Sequence, residues 1–113
     1  TWGHAVGDVV LCTVADRIRG CVRHGDTVGR MGGDELLVLL PGLRGIDGAV
    51  EIGDKIRRRA AEPIPLDGHV IHVTLSIGAT LAMPGESAST LTARADVAMY
   101  EAKRAGRNTV TRI

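Results

Sequence analysis

The chain has 113 residues, 44% of them hydrophobic and 24% charged, with a formal net charge of +1. That is one domain with room for a real core, and its near-neutral balance gives no reason to wrap nucleic acid or coat a membrane, so any anion site must be local. No apolar stretch approaches the roughly 18 residues of a membrane span and no signal-peptide pattern opens the chain, which reads as a cytoplasmic domain. Phe is absent and Trp and Tyr occur once each, leaving no aromatic platform for stacking single-stranded bases. Cys12 and Cys21 lack a CxxC or Cys/His ligand spacing and read as buried, reduced thiols.

In chain order, the first helical signal follows Gly7-Asp8. Asp8 can cap it, Leu11, Val14, Ala15 and Ile18 give an apolar stripe, and Gly20 is a stop. Arg23-His24-Gly25-Asp26 leads into Thr27-Val28, a tight turn at Arg30-Met31-Gly32-Gly33-Asp34-Glu35, and an apolar run over 36–40, a predicted β-hairpin closed by Pro41-Gly42. Asp47 can cap a second helix with Ala49, Ile52, Ile56 and Ala60 inside. Arg57-Arg58-Arg59 forms a solvated basic surface near its end, where the helix dipole favours cations. Pro63 and Pro65 end that helix and Asp67-Gly68 is a turn. Strict alternation over 71–81 then predicts one long strand, its second face small and polar, able to pass beneath a ligand or a helix. Hydroxyls over 87–90 cap a last helix with Leu91, Ala95, Ala98, Met99 and Ala102 inside. Gly106 stops it and 108–113 forms a short strand.

The hairpin tip carries the chemistry. Gly32 and Gly33 can adopt positive φ and let a large ligand lie against the backbone, while Asp34 and Glu35 place two carboxylates on a rigid turn. Such a pair can hold Mg²⁺ when a nucleotide triphosphate supplies the remaining oxygen ligands. Read alone, the same turn is also an ordinary polar hairpin. None of His4, His24, His69 and His72 has metal-ligand spacing.

Trp2-Gly3-His4 with Gly7-Asp8, the Arg30 to Leu36 turn, Thr74-Leu75-Ser76-Ile77-Gly78, and the run from Ala95-Asp96 to Gly106-Arg107-Asn108 occur in this order. Together they resemble the GGDEF domain, the catalytic domain of diguanylate cyclases, with Leu36 in place of the signature's final Phe. The resemblance implies an α+β, ferredoxin-like or palm-type nucleotide cyclase fold, a mostly antiparallel sheet flanked by helices. It further implies condensation of two GTP into cyclic di-GMP with release of pyrophosphate, by a homodimer that holds one GTP per domain. By the same resemblance Asp34 and Glu35 are the catalytic and metal-binding carboxylates for Mg²⁺ or Mn²⁺. Asp8 accepts from the guanine edge, Gly32 and Gly33 cradle the phosphates, and Lys103 and Arg107 grip the triphosphate. Arg23 and Asp26 stand where the family's inhibitory site for cyclic di-GMP lies. The residue types suit these roles: carboxylates accept from guanine N–H groups, and guanidinium pairs with phosphate.

The resemblance also predicts something this chain does not contain. Family domains open with a central strand that carries an Asp metal ligand, then a helix and a guanine-binding Asn, and residues 1–113 begin after them. A central strand burying about five apolar side chains would contribute about 8 to 15 kcal/mol, comparable to the whole net stability of a small domain, about 5 to 15 kcal/mol. The expectation is a fragment with exposed strand edges or a tendency to pair with another copy, and one that makes little cyclic di-GMP. Two functions stay open: a diguanylate cyclase domain, or a catalytically silent GGDEF module that binds GTP or cyclic di-GMP as a sensor.

Overall fold

The computed structural model describes residues 4–32 and 35–113, with side chains described for 6–30 and 35–113. Gly33 and Asp34, and the Trp2-Gly3 part of the first motif, lie outside the described residues. The elements are α1 (His4–Arg19), β1 (Thr27–Gly32), β2 (Glu35–Leu39), α2 (Ile46–Ala60), β3 (Ile64–Leu66), β4 (His69–Ile71), β5 (Ser76–Ala79), α3 (Ala88–Arg104) and β6 (Thr109–Arg112). The strands form three two-stranded sheets. β1–β2 and β3–β4 are antiparallel hairpins, while β5 and β6 run parallel. This is the expected α+β palm-type arrangement of helices on short, mostly antiparallel sheets, and the described residues contain no single continuous sheet.

The main core lies between α1, α2 and the β3–β4 hairpin, where Val14, Ile18, Ile56, Ala60, Ile64 and Ile71 are buried together. Arg17 ties the two helices from outside that core. Its guanidinium donates to the carbonyls of Glu62 at 2.5 Å and Pro63 at 2.8 Å, satisfying acceptors left open where α2 ends. A second layer forms because two glycines let helices approach strands closely. On one face of β5–β6, a Cβ at Gly53 of α2 would sit 3.2 Å from Val110 Cγ1. Against α3, a Cβ at Gly78 of β5 would sit 2.1 Å from the Met99 nitrogen. Ala98 and Ala102, fully buried, complete that second contact.

Four expectations need correction. Asp8 does not cap α1, which already begins at His4; it lies in the second turn with its side chain exposed. Asp47 does not cap α2: the N-cap is Gly45, without a side-chain bond, and the Asp47 carboxylate pairs with Arg112 instead. The predicted long strand is two, β4 and β5, with 72–75 outside any strand, because alternation sets which side chains face inward whereas a strand needs a hydrogen-bonded neighbour. Cys12 is exposed and Cys21 half-buried, so only the latter resembles a buried thiol. One strand was also hidden. Ile64–Leu66 pairs with His69–Ile71 across Asp67 and Gly68 at φ +50° and +79°, the doubly left-handed turn that two-residue hairpins favour.

α3 starts as expected. The Ser87 hydroxyl accepts from the Thr90 N–H at 3.1 Å, and the preceding loop is clamped by Arg94, which donates to Glu86 Oε2 at 2.7 Å and to the Leu81 carbonyl at 2.6 Å.

Candidate nucleotide site

The hairpin forms because β1 and β2 pair from Thr27↔Leu39 to Arg30↔Leu36, after which the register shifts so that Gly32 faces Glu35. One extra residue on the β1 side makes this a bulge, a common way of re-aiming a tip. Glu35 is exposed at the start of β2 and makes no hydrogen bond or ion pair with the described residues. Asp34, the other carboxylate of the expected pair, lies outside them.

Against this hairpin, α1 builds a pocket of about 180 Å³, lined by Leu11, Cys12, Ala15 and Arg19 on the helix and by Val28, Gly29, Arg30 and Leu36 on the strands. Asp8 precedes Leu11 and Cys12 by three and four positions, so it extends the same helix face. Its carboxylate is exposed and pairs with none of the described residues. Asp8 and the hairpin thus belong to adjoining elements, with the pocket one helical turn further along α1 from Asp8.

Lys103 and Arg107 come from the end of α3 and the residues just after it, and α3 packs on β5 and β6. Their placement is local. The Gly106 N–H donates to the Lys103 carbonyl at 3.4 Å and the Arg107 N–H to the Ala102 carbonyl at 3.1 Å. With Gly106 at φ +114° this is a complete Schellman cap. The cap turns the chain sharply after the helix and leaves both cations exposed, neither paired among the described residues. Exposed cations at a helix C-terminus remain free to take an anionic ligand.

Arg23 and Asp26 are brought together, but unequally. Asp26 Oδ2 accepts from the Arg23 backbone N–H at 2.7 Å and the Asp26 N–H donates back to the Arg23 carbonyl at 3.0 Å. The Asp26 side chain is therefore 1% exposed, against 62% for Arg23, and the two charges stand 3.7 Å apart. Arg23 Nη2 also donates to the Pro41 carbonyl at 2.9 Å. A shallow pocket of about 350 Å³ lies among Arg23, His24, Gly25, Asp26 and Pro41. Asp26 holds the loop, and Arg23 is the member a ligand would meet.

One residue near the site was not singled out from sequence. Arg57 belongs to the triple-arginine run expected to be solvated, yet it is half-buried, bonded to Asp54 and to Asn108 beside Arg107. Its only sequence signal is the i, i+3 spacing to Asp54. Elsewhere, no group of three or more His, Cys, Asp or Glu among the described residues could hold a metal, and no described helix is long and apolar enough to cross a membrane.

Comparison with known proteins identifies the family. Diguanylate cyclase A of Treponema denticola is 43% identical over 113 residues, covering 98% of this chain and 30% of that protein, so the chain spans under a third of that relative. The diguanylate cyclase SiaD of Pseudomonas aeruginosa, solved in complex with its activator SiaC, superposes with a TM-score of 0.92 at 34% identity, covering 99% of this chain and 43% of that one. The coiled coil and GGDEF domain of DgcB from Caulobacter crescentus, solved in complex with c-di-GMP, gives 0.90 at 30% identity, covering 100% and 61%. The family model for the diguanylate cyclase GGDEF domain matches residues 1–109, and the chain belongs to that family.

Proposed function

We propose that this domain binds GTP for condensation into cyclic di-GMP, with release of pyrophosphate, one GTP being held by each of two facing copies, and that residues 1–113 alone turn over little. The observation that carries the reading is the pocket between α1 and the hairpin, with the exposed Asp8 one helical turn before Leu11 and Cys12 of its lining and Glu35 at the start of β2. Asp8 accepts from the guanine N1 and N2 donors. Gly32 and Gly33 let the phosphates approach the backbone. Lys103 and Arg107 neutralise triphosphate oxygens.

Asp34 and Glu35 are the residues that would hold Mg²⁺ or Mn²⁺. The donor set fits a hard cation of this kind, which is commonly held by one or two carboxylates together with substrate phosphates and water, and Glu35 is exposed and unpaired as that requires. When bound, the ion neutralises phosphate charge and lowers the pKa of the attacking 3′-hydroxyl.

The test is calorimetry with GTP and ATP in the presence of Mg²⁺. GTP is expected to bind more tightly than ATP, and Asp8→Ala is expected to erase the difference. Equal binding of the two nucleotides by the parent chain would refute guanine recognition by Asp8, and rapid formation of cyclic di-GMP from GTP would refute low turnover. A second reading, a silent module that senses cyclic di-GMP, is favoured by one observation. The Arg23 loop is already fixed by its own hydrogen bonds and presents its guanidinium beside a pocket, so binding there would require no completed catalytic site.

A further inference from the structure

The bend between α3 and β6 holds three successive residues at positive φ, the longest such run among the described residues. Gly106, Arg107 and Asn108 have successive φ values of +114°, +64° and +47°, a conformation unfavourable for residues with a Cβ. The Schellman cap anchors Gly106 and Arg107 through their N–H groups, and Asn108 has a separate anchor. Its Oδ1 accepts from Arg57 Nη1 at 3.3 Å, across 51 residues of sequence. Arg57 is itself fixed, because its Nε and Nη2 donate to Asp54 Oδ1 at 2.9 and 2.7 Å. With that edge of the planar fork held, the remaining donor has a set direction. Gly53 makes the reach possible: lacking a Cβ, it lets α2 close on Val110 of β6, and Arg57 follows one turn later on the same face. Arg58 supplies a contrast. It also pairs with Asp54, at 3.2 Å, but its side chain is 68% exposed and it makes no bond to Asn108.

We propose that Arg57, oriented by Asp54, is a positioning residue that locks Asn108 in its left-handed conformation and so aims Arg107 at the triphosphate of the bound nucleotide. The proposal deepens the reading of Arg107 given above and rests on it. A hydrogen bond to a charged group is worth about a tenfold change in an equilibrium constant, which sets the size of the effect.

The test is calorimetry of Mg²⁺-GTP binding to the full 113-residue chain, with thermal unfolding followed in parallel. Arg57→Ala is expected to weaken binding about tenfold, while Arg58→Ala leaves it unchanged. Asn108→Gly removes the acceptor yet tolerates positive φ, so it folds and shows the same loss even if Arg57→Ala does not fold. The decisive measurement is the double variant. If Arg57 acts through Arg107, adding Arg57→Ala to Arg107→Ala causes no further loss. A full additional loss in that background would overturn the proposal, as would unaltered binding in Asn108→Gly while Arg107→Ala binds weakly. Unaltered binding in Arg107→Ala would refute the phosphate-gripping role itself, and the positioning role with it.

Discussion

A single methyl group at Gly78 should undo the packing that carries the basic end of the site. A Cβ built there meets only backbone: the Met99 nitrogen at 2.1 Å, the Ala95 carbonyl oxygen at 2.5 Å and the Ala98 carbonyl carbon at 2.6 Å. A side chain could rotate away, but a helix backbone cannot, so α3 has to retreat by about 1 Å or more before ordinary contact is restored. That retreat also opens the contact at Ala98 and Ala102, both fully buried. Overpacking a core costs about 1 to 3 kcal/mol, and the backbone clash puts Gly78→Ala at the upper end, about 3 kcal/mol. For a chain of this size the melting temperature should fall by about 15 °C. Gly7 provides the opposite sign from the same substitution. It lies within α1 with nothing within 4 Å of an added Cβ, so Gly7→Ala should stabilise by about 0.5 to 1 kcal/mol through the better helix propensity of alanine. Thermal unfolding followed by circular dichroism measures both. A Gly78→Ala protein melting within about 3 °C of the parent would show that α3 does not rest on β5 as described.

Three further outcomes are expected. Hydrogen bonds from Arg94 and from the Met83 N–H hold the Glu86 carboxyl well below its ordinary 4.5, at about 2. A depressed carboxyl stabilises the fold above its ordinary pKa and loses that contribution as the pH falls from about 4.5 towards 2; Glu86→Gln should flatten the stability profile in that window, and parallel profiles would count against the clamp. Arg17→Ala removes the donors to the carbonyls of Glu62 and Pro63 and should destabilise by about 1.5 to 3 kcal/mol in urea unfolding, whereas a change below about 0.5 kcal/mol would mean that solvent replaces those bonds without cost. Calorimetry with cyclic di-GMP should show binding by the parent chain that Arg23→Ala loses while Asp26→Asn retains part of it, since Arg23 is the exposed partner; an equal loss in both would place Asp26 in the contact.

The features that sequence reveals here are those fixed by neighbours along the chain. The Ser87 cap, the Gly106 stop and the hairpin around residues 30–36 all follow from residues within a turn of one another, where propensity and hydrogen-bonding chemistry act directly. The errors share the opposite property. Asp47 has the residue type of a cap, but Arg112, 65 residues away, takes its carboxylate. The alternation over 71–81 correctly marks Ile71, Val73, Leu75 and Ile77 as facing the core, yet β4 ends at Ile71 and β5 begins at Ser76, because pairing is decided by strands distant in sequence. β3 escaped notice because Pro63 and Pro65 read as breakers, although Pro65 is acceptable on a hairpin edge that lacks a further neighbour.

The candidate site divides along the same line. Asp8, Arg23, Lys103 and Arg107 could be named from motif and spacing, and the structure adds what spacing cannot supply: Asp26 is turned inward to hold its own loop, and Arg107 stands on the second residue of a left-handed bend. Arg57 shows why such information is long-range. In the sequence it is the first of three arginines, indistinguishable from Arg58 and Arg59. In the fold, Asn108 selects it alone, while Arg58 shares Asp54 but remains at the surface and Arg59 pairs with Glu62. Electrostatics therefore does not distinguish the three, since all carry the same charge within one turn of helix. The distinction comes from the close approach of α2 to β6 at Gly53, so a bulky residue at 53 should reduce Arg57 to the exposed cation its sequence suggests.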